Sequence, residues 1–150
     1  MSLYFADTSA FAKRYLPEIG SAWVRAWIDP SAGNTILISA ISTVELVSLL
    51  ARRQREGNVS AADFTRLKND FLVHTNRDYR VIALSPGVLA LARRLIEQYP
   101  LRTLDAIQLA SARMAAQTIG PMPTFVTADQ SLLAAATAEG FPTDDPNKHP

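Results

Sequence analysis

Apolar residues fall into short unbroken runs separated by stretches of helical periodicity, a pattern that predicts strands alternating with helices. Leu3 to Ala6 is the first run, and it leads directly into Asp7-Thr8-Ser9, residue types that favour helix caps, so a strand entering a helix is expected. Residues 10 to 29 carry Phe11, Tyr15, Ile19, Trp23, Trp27 and Ile28 at helical spacing, and Pro17 breaks the stretch into two short helices. The i, i+4 pair Trp23 and Trp27 is expected to pack in the core or on a dimer face rather than to stack on bases. Turn residues 29 to 34 precede a second apolar run, Thr35 to Ser39. A helix over 42 to 54 follows and stops at Glu56-Gly57-Asn58; another, over 60 to 75, opens on the capping pattern Ser60-x-x-Asp63 and buries Phe64, Leu67 and Phe71.

Arg80 to Leu84 predicts a third strand, and Ser85-Pro86 opens a helix bearing Leu89, Ala92, Leu95 and Ile96. An Ala-rich helix spans 103 to 118, a fourth strand spans 123 to 127, and a helix from Ala128 is closed by Gly140. Phe141-Pro142-Thr143 adds a short edge strand, where proline is tolerated. The succession implies an α/β fold, a three-layer α/β/α sandwich around a parallel β-sheet of four to five strands with right-handed crossovers. It occupies residues 1 to 143, and the polar stretch 144 to 150 is expected to fray. Ligands of such sheets bind at the carboxyl ends of the strands.

Composition narrows the chemistry. At 150 residues and 48% hydrophobic content the chain suits one domain with a sizeable core. It has no cysteine, which removes thiol catalysis, disulfides and zinc-thiolate sites. Its two histidines, His74 and His149, lie at the end of an amphipathic stretch and in the polar tail, and both are expected to be solvated surface residues. The opening residues MSLYFADTSA lack a basic region before the apolar run, so neither a signal peptide nor a membrane span is expected and a cytoplasmic location is. Net charge is only +1, but removing four acids from 14 against 15 bases leaves +5, a basic body around a neutralised centre that suits a polyanion.

Those four acids are Asp7, Glu45, Asp105 and Asp129, each just after an apolar strand or in the first turn of the next helix. Singly, each has a bland explanation. Glu45 could complete the capping box Ser42-x-x-Glu45, and Asp105 and Asp129 could complement helix dipoles. Asp63 shows the same capping pattern and is assigned no function. Jointly, carboxylates repeated at strand ends of a doubly wound sheet converge in one crevice, where repulsion is costly unless a cation screens it. Hard oxygen ligands without His or Cys select Mg²⁺ or Mn²⁺, ions suited to phosphodiester chemistry.

The same residues resemble a known family. Asp7-Thr8-Ser9, then Ile41-Ser42 with Glu45-Leu46, Leu104-Asp105-Ala106-Ile107-Gln108-Leu109-Ala110 and Val126-Thr127-Ala128-Asp129 follow the order found in PIN-domain ribonucleases, most closely the VapC-type toxins of bacterial toxin-antitoxin pairs. The resemblance spans Leu3 to about Phe141. It implies that Asp7, Glu45, Asp105 and Asp129 bind Mg²⁺ or Mn²⁺ and position water for attack on RNA, with Ser9 and Thr127 supporting them. It further implies a homodimer and a cognate antitoxin that blocks the site. Arg102, three residues before Asp105, is the basic residue placed to touch an RNA phosphate, whereas Arg52, Arg53, Arg55, Arg93 and Arg94 belong to solvated helix faces. The alternative is a PIN-like module that binds RNA or a partner without cutting. A phosphoaspartyl enzyme fits poorly, because Ser9 stands where a second Asp is needed and the only lysines are 13, 68 and 148.

Overall fold

A computed structural model describes residues 1–150. The five strands β1 (Leu3–Ala6), β2 (Thr35–Ser39), β3 (Tyr79–Ile82), β4 (Thr124–Val126) and β5 (Thr143–Asp144) are all parallel and lie in the order β3-β2-β1-β4-β5. Seven α-helices connect them: α1 (Thr8–Phe11), α2 (Ser21–Ile28), α3 (Ser42–Arg55), α4 (Ala61–Arg77), α5 (Pro86–Gln98), α6 (Thr103–Ile119) and α7 (Gln130–Ala138).

The chain builds outward from β1 to β3 and then returns to place β4 on the other side of β1. With right-handed crossovers, that reversal moves the later helices to the opposite face of the sheet. The core divides accordingly. Phe5, Leu37 and Phe125 pack with α5, α6 and α7 on one face, while Ala6, Ile36, Ile38 and Val126 pack with α1 to α4 on the other. Neighbours along each strand thus serve opposite layers, as a pleat of period two requires, and both faces are covered. The point where the strand order reverses lies between β1 and β4, and the crevice beyond their carboxyl ends is where such sheets accept ligands.

Local sequence explains most boundaries. Ser60 and Ser85 accept from the backbone N–H of Asp63 and Val88 at 3.0 and 3.2 Å and start α4 and α5. Gly20 has φ +87°, and a Cβ there would lie 2.3 Å from the Pro146 carbonyl oxygen, so only glycine allows the carboxyl-terminal segment to cross this close. That crossing overturns the expectation of a frayed tail. Asp145 is buried and accepts from Gln130 Nε2 at 2.9 Å, Asn147 accepts from Lys13 Nζ at 3.0 Å, and Pro146–Lys148 form a 3₁₀ turn. The last strand also lies later than the pattern suggested, because Phe141 turns into the core instead of pairing.

The histidines depart from expectation in the same way. His149 stacks on Trp23 with ring centroids 4.0 Å apart and contacts Asp144 at 2.8 Å. His74 Nδ1 lies 2.8 Å from the Tyr15 hydroxyl, and burial with the nearby Arg14 charge pushes its pKa down. Both rings are packed by neighbouring aromatics. Trp27 is buried and stacks on Tyr4, which resolves the Trp23/Trp27 stripe as core packing. No helix is long and apolar enough to cross a membrane.

Candidate functional site

The four acids sit at the carboxyl edge of the sheet, around the reversal point. Asp7 leaves β1 as the N-cap of α1, and Asp129 follows β4 as the N-cap of α7. Glu45 and Asp105 lie in the first turns of α3 and α6.

Asp7 is the most enclosed, only 4% exposed. Its Oδ1 accepts from Ser9 Oγ at 2.7 Å and from Ala10 N–H at 3.1 Å, and its Oδ2 accepts from Thr127 Oγ1 at 2.9 Å. These bonds favour the anion, yet burial outweighs them and pushes the carboxyl up to about 7, with the Asp105 charge adding to the rise. Asp129 Oδ1 accepts from Leu132 N–H at 2.8 Å, a conventional cap. Ser9 and Thr127 join the two: Ser9 Oγ accepts from Ala128 N–H at 3.0 Å, and Thr127 Oγ1 accepts from Asp129 N–H at 3.0 Å. The two residues expected to support the acids therefore tie β1 to β4 at the point where the crevice opens.

The other two acids are held differently. The box Ser42-x-x-Glu45 does not form; Ile41 is the cap position of α3, and Ser42 turns inward, fully buried. Glu45 Oε1 accepts instead from Thr8 Oγ1 at 3.0 Å and from Gln108 Nε2 at 2.8 Å. Asp105 has one charged neighbour that compensates it, Arg102, whose Nε lies 3.8 Å away. Its carboxyl is pushed up, first by burial and then by the charges of Asp129 and Glu45, with Arg102 pulling the other way.

Arg102 also reaches Asp129, at 4.0 Å, and its side chain is 87% exposed. It bridges the mouth of the acidic centre and shares its charge with two carboxylates. Beside it runs a groove of about 850 Å³ whose walls include Glu45, Arg52, Arg102 and the apolar Ile19, Val44 and Leu104. Lys13 forms part of the floor, buried and bonded to Glu18 Oε1, Ile19 O and Asn147 Oδ1 at 2.8 to 3.0 Å.

No three Asp, Glu or His side chains stand close enough to one another to form a ready-made metal cage. The electrostatics nevertheless link the four: Asp105 feels Asp129 and Glu45, and Asp7 feels Asp105. The donor set is all carboxylate and hydroxyl oxygen, and Asp7 and Asp105 both carry negative charge that their surroundings oppose. Such oxygen donors are of the type that could hold a hard divalent cation such as Mg²⁺ or Mn²⁺.

Thr8, Ser42 and Gln108 are polar residues at this centre that stand within the motifs but had no functional role assigned to them from the sequence. Gln108 stands on the same face of α6 as Asp105, one turn on, and that i, i+3 spacing was the signal available for it. Within an Ala-rich face, a lone glutamine looks like packing.

A parallel α/β domain with carboxylates at its topological switch point is the class that the fold and the site define. The PIN-domain family model matches residues 4–138, and the chain belongs to the PIN-domain family. Within the family it goes with the VapC-type proteins: it is 30% identical over 146 residues to Ribonuclease VapC47 of Mycobacterium tuberculosis, covering 96% of this chain and 97% of that one. Among solved structures, PAE2754 of Pyrobaculum aerophilum shares the fold with a TM-score of 0.65 at 23% identity, over 98% of this chain and 85% of that one. A toxin-antitoxin complex from Klebsiella pneumoniae matches with a TM-score of 0.63 at 15% identity, over 95% of this chain and 97% of that chain.

Proposed function

We propose that the protein is a Mg²⁺- or Mn²⁺-dependent endoribonuclease that acts as the toxin of a toxin-antitoxin pair. The observation that carries this reading is the gathering of Asp7, Glu45, Asp105 and Asp129 at the switch point, with Asp7 and Asp105 both pushed upward. Membership among VapC-type proteins, with a ribonuclease as a full-length relative, supports RNA as the substrate. The antitoxin partner rests on the likeness to a toxin-antitoxin complex, and the groove beside Glu45 offers it a mixed apolar and charged wall. A homodimer belongs to the same proposal; Leu72 and Val73 on α4 and Val81 on the β3 edge strand are among the exposed apolar positions that could serve it.

A divalent cation bound by the four acids would lower the pKa of a coordinated water and stabilise the charge that develops on a phosphodiester. The chain's own contribution is orientation. Ser9 and Thr127 fix both oxygens of Asp7 and lock β1 against β4, so the Asp7 and Asp129 carboxyls keep their spacing. Arg102, exposed at the mouth, is placed to exchange its carboxylate contacts for a phosphate of incoming RNA.

The test is incubation of the purified protein with a structured RNA and Mn²⁺, with and without chelator, beside Asp7→Asn. The proposal expects cleavage that chelator abolishes and that Asp7→Asn lacks. No cleavage, or equal cleavage by Asp7→Asn, would point to the PIN-like module that binds RNA or a partner without cutting.

A further inference from the structure

Gln108 is only 2% exposed and sits where α1, α3 and α6 meet. Its amide Nε2 lies 2.8 Å from Glu45 Oε1, 2.9 Å from Ser42 Oγ and 3.2 Å from Thr8 Oγ1, so its two N–H groups serve three oxygens. A carboxylate can only accept, and this fixes which way the amide faces, because the reverse orientation would set oxygen against oxygen at 2.8 Å. The price is visible on the other side: Gln108 Oε1 is buried with no hydrogen-bond partner. Leucine, of similar size, would fill this position without stranding an acceptor, so the amide contributes something that packing alone does not require.

Its effect falls on one atom. Thr8 Oγ1 and Gln108 Nε2 both address Glu45 Oε1, and Ser42, which contacts Thr8 Oγ1 at 2.9 Å, braces the pair. Glu45 Oε2 is left without a donor from the chain. We propose that Gln108 is a positioning residue for Glu45: with Thr8 it occupies Oε1 and so presents Oε2 as the oxygen open to a divalent cation. This rests on the reading that the four acids hold such a cation. Outer groups that orient a metal-binding carboxylate contribute roughly 10–100-fold to metal affinity.

Calorimetric titration with Mn²⁺ of the full chain, of Glu45→Gln, of Gln108→Leu and of the double variant tests it, with thermal unfolding in chelator alongside. Gln108→Leu is expected to weaken Mn²⁺ binding about tenfold, to leave the unfolding temperature in chelator unchanged or higher, and to add little in the Glu45→Gln background. Thr8→Val, which removes the second donor to the same oxygen, is expected to lose a smaller factor. Wild-type affinity in Gln108→Leu, a loss of equal size in the Glu45→Gln background, or a fall in unfolding temperature without a change in Mn²⁺ affinity would each overturn the positioning role alone. Equal Mn²⁺ binding by wild type and Glu45→Gln would instead overturn the cation reading, and this inference with it.

Discussion

Asp7 and Asp129 both cap the helices that follow their strands, whereas Glu45 and Asp105 sit inside the first turns of theirs and cap nothing. Both carboxylates of the first pair accept from backbone N–H groups, and Asp7 accepts as well from the hydroxyls of Ser9 and Thr127. The second is held by side chains alone, through Thr8 and Gln108 for Glu45 and through an exposed arginine for Asp105. One half of the site is therefore part of the scaffold and the other half is carried by it. Chemistry proposed to need all four should fail alike when either half is changed, while stability should respond to one half only.

The largest expected effect tests the shared part of that contrast. Asp7→Asn and Glu45→Gln should each lower Mn²⁺-dependent RNA cleavage by roughly 10²–10⁴-fold, the range for removing a positioned reacting group. Single-turnover rates on one RNA check this, and a Glu45→Gln enzyme that keeps near wild-type rates would remove that half from the site.

Next comes the pH dependence of stability, which belongs to Asp7, the one buried acid of the four. The folded pKa of Asp7, about 7, lies above its ordinary value of 3.8, so the carboxyl favours folding while protonated and opposes it once ionised. Its contribution is full below about pH 4 and is lost as pH rises through 7, by up to about 4 kcal/mol. Denaturant unfolding in chelator should therefore show Asp7→Asn gaining on wild type between pH 5 and pH 8. A constant difference across that window would contradict the burial argument.

A smaller effect separates the caps from the other acids. Asp129→Ala should cost about 1 kcal/mol of stability through loss of its cap, while Asp105→Ala should cost nothing or stabilise the protein in chelator. Equal losses, read from denaturant midpoints, would erase the distinction. The smallest effect concerns the residue that spans both halves. Arg102→Ala should change stability by less than about 1 kcal/mol, as its exposure dictates, and lower the salt dependence of RNA binding by about one phosphate contact. An unchanged salt slope would leave Arg102 as a counter-charge for Asp105 and Asp129 only.

Much of the scaffold half was legible in the sequence. Leu3 to Ala6 and Thr35 to Ser39 are apolar runs that became β1 and β2 at those residues, and Ser60 and Ser85 announced the starts of α4 and α5. Asp7, Glu45 and Asp129 were readable because each follows a strand, whereas Asp105 comes after α5 rather than a strand and was readable only as an acid in the first turn of α6. The strand order was not, since alternation of strands and helices does not say on which side β4 joins β1. The contacts of Glu45 were hidden for a related reason. Ser42 has the spacing of a capping residue, and only the meeting of α1, α3 and α6 shows that it turns inward to Gln108. The polar stretch after Thr143 misled because its composition says nothing of Gly20, whose missing side chain lets Pro146 approach.

The claim at the centre of this account is that crowded carboxylates are set against one another until a divalent cation joins them. The most direct test is the unfolding temperature of wild type and Asp105→Asn, each in chelator and in saturating Mn²⁺. The account predicts a crossing: Asp105→Asn equals or exceeds wild type in chelator, because the cost of burying the charge and its repulsion from Asp129 and Glu45 are relieved, and falls below it in Mn²⁺, which stabilises only the form that binds it. Parallel responses of the two proteins to Mn²⁺, or a less stable Asp105→Asn in chelator, would contradict it.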